Sequence, residues 1–269
     1  MDKKVVFCGG GNMAEGIIRG MLKNGIDKEQ IVVNELRPER CAELTEKYGI
    51  VAVTDAKKAF DNVDIAVIAV LPKHVESVAS DIGRLVGKDV VFLSIAAGVS
   101  LEVLEKCLGV ERKIARVMPN TIGLTGHGYS GICLNPMINE GEKADITEIV
   151  NSIGKTMFLD ESMFNQFTVL GPTGPLWVYK MIDAMVNAGV YQGFSRAEAE
   201  NLVIENMLGA TMLLQMTGED ASQRVVEMCS PGGVTVEGYR YLNKGGFDEI
   251  IMASIDVAVK KVYRLQKNR

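Results

Sequence analysis

Val5-Val6-Phe7-Cys8-Gly9-Gly10-Gly11-Asn12-Met13-Ala14 is the stretch from which the rest of the chain is read. Its first four residues are apolar without interruption, as in a strand buried on both faces. Three glycines follow, and a helical pattern runs over 12–23. Gly9, Gly11 and Ala14 fit G-x-G-x-x-G/A between that strand and that helix. The first glycine permits a tight turn, and the second lets a pyrophosphate approach the backbone. The small third residue lets the helix pack close to the strand. The helix N-terminus adds free N–H groups and partial positive charge. With the strand before it and the helix after it, the cluster reads as a dinucleotide site rather than a structural turn.

Outward from this point, short apolar runs alternate with amphipathic ones. Ile31–Val33, Ile65–Val70, Val90–Leu93 and Ile114–Val117 are predicted strands, and 38–48, 73–86 and 100–108 predicted helices. Ser130–Leu134 and Met157–Leu159 add further strands. The alternation predicts an α/β fold with a doubly wound, mostly parallel sheet. Ligands of such a sheet lie beyond the carboxyl ends of its strands. The candidate cofactor contacts are therefore Gly9, Gly11, Asn12 and Met13, then Glu35 and Arg37, then Ala69, Val70, Leu71 and Pro72, then Ala96, Ala97 and Gly98. An acid at the position of Glu35 bonds the ribose hydroxyls of NAD and repels a 2′-phosphate, whereas Arg37 would pair with the phosphate of NADP. Both cofactors stay open at this point.

After about residue 160 only helical patterns remain. Pro175 suits a first helical turn, and that helix runs to about Gln192. Ser195 and Glu198 form a capping box that opens the next helix, to about Thr217. The last helix, about 247–265, carries a single apolar stripe. The two middle helices differ. Between Leu176 and Val190 the charged residues are Lys180 and Asp183, and between Leu202 and Met216 there is Glu205 alone. Helices apolar nearly all round are buried nearly all round. A helical domain of this size struggles to enclose two of them, so a second subunit is inferred to cover them, the alternative being a helical core within one chain.

The formal net charge of −5, without a Lys/Arg run, argues against a nucleic-acid partner. The longest apolar run, Ile65 to Leu71, is too short for a bilayer, and no signal peptide is visible. Cys8, Cys41, Cys107, Cys133 and Cys229 are scattered, and His74 and His127 have no ligand-like spacing, so no metal site is expected. Free thiols fit a reducing, cytoplasmic setting.

Near the other end, Ser230-Pro231-Gly232-Gly233-Val234-Thr235 separates two helical stretches. A serine, two glycines and a following helix N-terminus make a cup for a small anion. The alternative is a serine N-cap with a Pro/Gly turn.

Taken with Gly9-x-Gly11-Asn12-Met13-Ala14, Ser94-Ile95-Ala96-Ala97-Gly98 and Arg116-Val117-Met118-Pro119-Asn120-Thr121, this segment resembles the pyrroline-5-carboxylate reductase family, in order and in register from residue 4 to about 263. The resemblance implies an NAD(P)H-binding Rossmann domain over 1–160 and an all-α dimerisation and substrate-binding domain over 161–269. It implies a homodimer with helices interlocked between subunits, and allows a higher oligomer of dimers. It implies hydride transfer to C5 of a small cyclic imine, 1-pyrroline-5-carboxylate, giving L-proline. Ser230, Gly232, Gly233, Val234 and Thr235 would then hold the substrate, with Thr235 catalytic, and Asn120 would join the cofactor contacts. Glu219 matches an acidic position of the family. Hydride attack on a protonated imine is mostly positioning, which suits a chain without an obvious His/Asp pair.

The chain departs from the family pattern in places. It has Leu71-Pro72 for Lys-Pro, Ile122 for the proline after Asn-Thr, and Gly171-Pro172-Thr173-Gly174-Pro175-Leu176-Trp177 for Ser-Gly-Ser-Gly-Pro-Ala-Tyr. A diverged paralogue acting on another cyclic imine, or an NAD(P)-binding regulatory dimer, are the alternatives. The β-hydroxyacid dehydrogenases need Asn four residues after a catalytic Lys, and Ala184 stands four after Lys180.

Overall fold

The computed structural model describes residues 2–120, 122, 125 and 127–267. Thr121, the last residue of the motif that begins at Arg116, lies outside the described residues.

Eight strands form one sheet: β1 (Val5–Cys8), β2 (Ile31–Asn34), β3 (Val51–Val53), β4 (Ile65–Ile68), β5 (Val91–Ser94), β6 (Lys113–Met118), β7 (Tyr129–Leu134) and β8 (Lys155–Phe158). Their order is β3-β2-β1-β4-β5-β6-β7-β8. Every pairing is parallel except the antiparallel β6–β7. The connections hold α1 (Asn12–Lys23), α2 (Pro38–Tyr48), the single turn α3 (Ala56–Ala59), α4 (Val75–Leu85), α5 (Leu101–Leu108) and α6 (Glu140–Asn151).

Strand alternation sends successive side chains to opposite faces. Val5 and Phe7 of β1 join Ile17, Ile18 and Met21 of α1 and Ile146 and Ile149 of α6. Val6 and Cys8 join Val75, Ala79 and Ile82 of α4 and Leu104 of α5. The sheet is thus covered on both faces, which is why its central strands read as unbroken apolar runs. Each buried aliphatic or aromatic side chain contributes about 1.5–3 kcal/mol.

Six further helices follow: α7 (Phe164–Leu170), α8 (Pro175–Tyr191), α9 (Arg196–Thr217), α10 (Ala221–Met228), α11 (Val234–Lys244) and α12 (Phe247–Lys267). The chain divides into one unit of residues 1–173 with 259–269, and a second of residues 174–258. In the second, α8 and α9 meet at Val186, Ala199 and Val203, flanked by Ile182 and Met207. The indole Nε1 of Trp177 donates to Ser254 Oγ at 2.7 Å, joining α8 to α12 within that unit.

The predicted strands and long helices are present, with edges shifted by a few residues. The helix predicted over 73–86 is a short 3-10 turn, Pro72–His74, leading into α4. β3, α3, α6 and α7 are additions to the sequence reading, whereas α10 and α11 are the two helical stretches it placed on either side of Ser230-Pro231-Gly232-Gly233.

Candidate active site

The strand order reverses between β1 and β4, which opens a crevice beyond their carboxyl ends. The loop after β1 is tied to both neighbours. Gly9 N donates to Asn34 O at 2.8 Å, and Ala69 N donates to Cys8 O at 2.9 Å. Gly9 has φ +100°, and a Cβ there would lie 2.7 Å from the Ala69 carbonyl oxygen. Only glycine fits that close approach.

Gly11 is the N-cap of α1, in extended conformation, and no side chain caps the helix. A Cβ on Gly11 would meet nothing within 4 Å. The amides of the first turn, at Asn12 and Met13, therefore face a cradle that no side chain fills. This is the shape a pyrophosphate needs. Ala69 and Val70 are half-buried and Leu71 is exposed where the chain leaves β4, with Pro72 opening the 3-10 turn. Beyond β5, Ala96 is buried, Ala97 exposed, and Gly98 turns at φ +70°.

Glu35 follows β2 and is buried. Its Oε2 accepts from Gly10 N at 3.0 Å. Its Oε1 accepts from the backbone N and from Nε of Arg37, both at 3.1 Å. Burial pushes the carboxyl pKa up, but the bonds from Arg37 and Gly10 outweigh it and leave the pKa below the ordinary value. Glu35 is thus a buried, fully engaged carboxylate and not a solvated loop charge.

A second ion cluster braces the same loop. Arg40 Nε donates to Gly10 O at 2.8 Å, and the guanidinium pairs with Glu15 at 2.5 Å and Glu43 at 2.7 Å. Glu15 also accepts from Lys47 at 2.8 Å and from Tyr48 Oη at 2.6 Å. Bonds from Lys47, Tyr48 and Arg40 bring the Glu15 pKa down to about 2. Sequence reading passed over Glu15 and Arg40. The available signal was two unlike charges on consecutive helices flanking a glycine loop.

Arg116, on β6, is fully buried. It pairs with Glu161 at 2.6 Å and lies 3.9 Å over the centre of the Phe164 ring. Burial draws its pKa down while Glu161 holds it up. Cys133, its register partner on β7, has its thiol pushed up to about 12 by burial, as has Cys8. Both thiols stay protonated at neutral pH. Asn120 is buried; its Nδ2 donates to Gly171 O at 2.9 Å and its Oδ1 accepts from Ile122 N at 3.1 Å. Asn120 thus anchors the loop that carries Pro172.

In the second unit, Ser230-Pro231-Gly232-Gly233 forms a reverse turn closed by Gly233 N to Ser230 O at 3.0 Å. Proline at the second place and Gly232 at φ +69° in the third mark it as type II. A Cβ on Gly233 would lie 2.5 Å from Ser230 Oγ, so the hydroxyl occupies the space a side chain would need. Gly233 is the N-cap of α11, and no side chain bonds its first turn. Ser230 is therefore not an N-cap serine, and the amides at Val234 and Thr235 stay uncapped. The side chains of Val234, 93% exposed, and Thr235 open this helix. Glu219 pairs with Arg224 of α10, and Arg224 pairs with Glu227 at 2.8 Å. This braces the helix that runs into the cup.

Among the described residues no three His, Cys, Asp or Glu side chains are grouped to hold a metal ion, and no helix is long and apolar enough to cross a membrane.

Residues 161–265 match the family described as pyrroline-5-carboxylate reductase dimerisation, and residues 4–98 match NADP oxidoreductase coenzyme F420-dependent. The pyrroline-5-carboxylate reductase of Aquifex aeolicus is 34% identical over 98% of this chain and 98% of its own length. A solved pyrroline-5-carboxylate reductase from Coxiella burnetii superposes with a TM-score of 0.92 at 26% identity, over 98% of this chain and 99% of that one. The pyrroline carboxylate reductase of Plasmodium falciparum, solved with NADP bound, gives a TM-score of 0.88 at 27% identity over 98% of each chain. With 34% identity over nearly the full length of both chains, and with residues 161–265 matching the dimerisation family, the chain belongs to the pyrroline-5-carboxylate reductase family.

Proposed function

We propose that this chain reduces 1-pyrroline-5-carboxylate to L-proline with NAD(P)H. The observation that carries the reading is the uncapped N-terminus of α11 behind the type II turn. It offers backbone donors and a helix dipole to a small carboxylate. Gly232 and Gly233 keep side chains out of the approach, and Ser230 adds a hydroxyl. Val234 contributes through its backbone. Thr235 stands on the first turn, where its hydroxyl meets the substrate near the carboxylate and the ring nitrogen.

The cradle at Gly9, Gly11, Asn12 and Met13 holds the dinucleotide phosphates. Ala69, Val70, Leu71 and Pro72 form one wall beyond β4, and Ala96, Ala97 and Gly98 another beyond β5. Asn120 acts from behind, by fixing the Gly171 loop. When bound, the reduced nicotinamide supplies a hydride. The imine nitrogen takes a proton from water, and C5 of the protonated imine accepts the hydride while the C=N π pair settles on nitrogen. The protein orients the ring and excludes side reactions. No side chain is needed as a strong acid, which agrees with the protonated thiols of Cys8 and Cys133 and with the lack of an ion pair to His74 or His127 among the described residues.

The molecule acts as a homodimer of cytosolic subunits with helices interlocked over 161–269, following a dinucleotide-binding domain over 1–160; dimers assembling further is compatible with it. What supports the dimer is the match to a dimerisation family and the apolar surface of 174–258.

The test is loss of nicotinamide absorbance with the imine and either NADPH or NADH. Oxidation that depends on the imine is expected. Thr235→Ala should lower kcat by about 10- to 100-fold, an interaction of roughly one charge-assisted hydrogen bond, with dinucleotide affinity unchanged. Binding of the dinucleotide without turnover would move the substrate to another cyclic imine. Equal loss of turnover and dinucleotide affinity would remove Thr235 from the substrate site.

A further inference from the structure

Within the unit of residues 1–173, α7 is held against β6 and β7 by a run of contacts that the chemistry above does not use. Arg116 of β6 is 1% exposed. Its guanidinium lies 3.9 Å over the centre of the Phe164 ring, and its Nη1 donates to Glu161 Oε1 at 2.6 Å. Arg116 Nε has no hydrogen-bond partner, so the carboxylate and the ring are what hold the buried cation. Glu161 Oε1 also accepts from Leu101 N at 3.3 Å, at the start of α5. The Phe164 ring in turn lies 6.4 Å from the Phe167 ring, centre to centre.

Phe167 carries this stack to the loop. Gly131 is buried within β7, and a Cβ there would stand 2.6 Å from the Phe167 ring. The strand therefore has a notch that any side chain would fill, and the ring occupies it. The same ring bears on Gly171, where a Cβ would lie 3.0 Å from Cζ. Gly171 N donates to Phe167 O at 2.7 Å, and Thr173 Oγ1 donates to Thr168 O at 3.1 Å. Residues 171–173 are thus folded back on the end of α7 and move with it. Asn120, just past the end of β6, donates to Gly171 O at 2.9 Å.

Ligands of an open parallel sheet lie beyond the carboxyl ends of its strands. With the phosphates cradled after β1, and with β4 and β5 next in order, the segment held beyond β6 stands toward the nicotinamide end of the crevice. Placement is most of this chemistry, and a displacement of about 1 Å costs up to about 100-fold in rate.

We propose that Phe167, seated in the Gly131 notch and backed by the stack of Phe164 on Arg116, is a positioning residue for hydride transfer. It sets the height of α7, and with it the place of residues 171–173 at the reacting end of the crevice. This rests on the reading of the chain as an imine reductase.

The test is steady-state reduction of 1-pyrroline-5-carboxylate by NADPH, with NADPH affinity measured separately by calorimetric titration of the full-length protein. Gly131→Ala puts a methyl group into the notch and pushes the ring out. It should lower kcat by about 10- to 100-fold and leave NADPH affinity within about 2-fold. Adding Phe167→Leu removes ring atoms that clash with that methyl group. The double variant should turn over at least about 3-fold faster than Gly131→Ala alone. A merely structural role gives no such rescue, because a second truncation in a packed interior adds to the damage. Phe167→Ala empties the notch without adding an atom, and decides the matter if Gly131→Ala does not fold. Its kcat should fall about 10-fold with NADPH affinity kept. Wild-type kcat in either single variant, NADPH affinity lost in step with kcat, or a double variant no faster than Gly131→Ala would overturn the proposal while the wild type remains an active reductase. A wild type that binds NADPH but does not reduce the imine would overturn the reductase reading, and this proposal with it.

Discussion

At Gly9 a side chain has nowhere to go, because the backbone is left-handed and the Ala69 carbonyl stands 2.7 Å from the would-be Cβ. Gly11 has ordinary φ and open space. Alanine at the two positions should therefore behave differently. Gly9→Ala should lose about 1–3 kcal/mol of stability through backbone strain, and dinucleotide binding with it. Gly11→Ala should change stability by less than about 0.5 kcal/mol, yet weaken the dinucleotide, since the methyl group stands where phosphate must approach. Thermal unfolding and titration of both variants give the answer. Wild-type affinity in Gly11→Ala would mean that the phosphates lie elsewhere. The sequence showed that glycines were wanted here. The pattern already assigned the turn to Gly9 and the phosphate approach to Gly11; what it did not show is the Ala69 carbonyl that β4 brings up to Gly9.

Among the elements, β1, β4 and β5 were legible because they are buried on both faces and carry no polar interruption. β3 was not, as it is three residues long, lies at the sheet edge and is only partly buried. α6 is polar along much of its length, but Asn139 and Glu142 form a capping box that marks its start. The inward turn of Glu35 was illegible, since its partner Gly10 is 25 residues away in sequence. The same holds for Glu15, which ties α1 to α2 through Arg40, Lys47 and Tyr48. Its folded pKa of about 2 lies below the ordinary 4.5. A depressed carboxyl contributes stability that is complete above the unfolded value and disappears as pH falls through the folded one. Between pH 4.5 and 2 the wild type should lose stability that Glu15→Gln has already lost at neutral pH. Urea midpoints followed across that window should show a shallower decline in the variant. Parallel declines would mean that the cluster contributes nothing to folding.

Across the whole molecule, residues 1–173 own two extensive buried clusters, one on each face of the sheet, whereas the interior of 174–258 is reduced to Val186, Ala199 and Val203. On α9 alone, Leu202, Ile204, Leu208, Met212, Leu213 and Met216 are each at least 43% exposed. A surface of this kind seeks a partner, and a twofold dimer presents the same surface from the other subunit. The near absence of charge over Leu176–Val190 and Leu202–Met216 had already led to the expectation that a second subunit covers these stretches. If the second subunit completes the core, folding and association are one process, and the unfolding midpoint must rise with protein concentration. Leu208→Asp would place a charge on the shared surface, at a cost too large for a marginally stable assembly to absorb. Sedimentation should then show loss of the dimer, with thermal unfolding beginning at a lower temperature. A wild-type midpoint independent of concentration, together with a folded monomer on dilution, would mean that the apolar face of α9 is not an interface between copies of this chain.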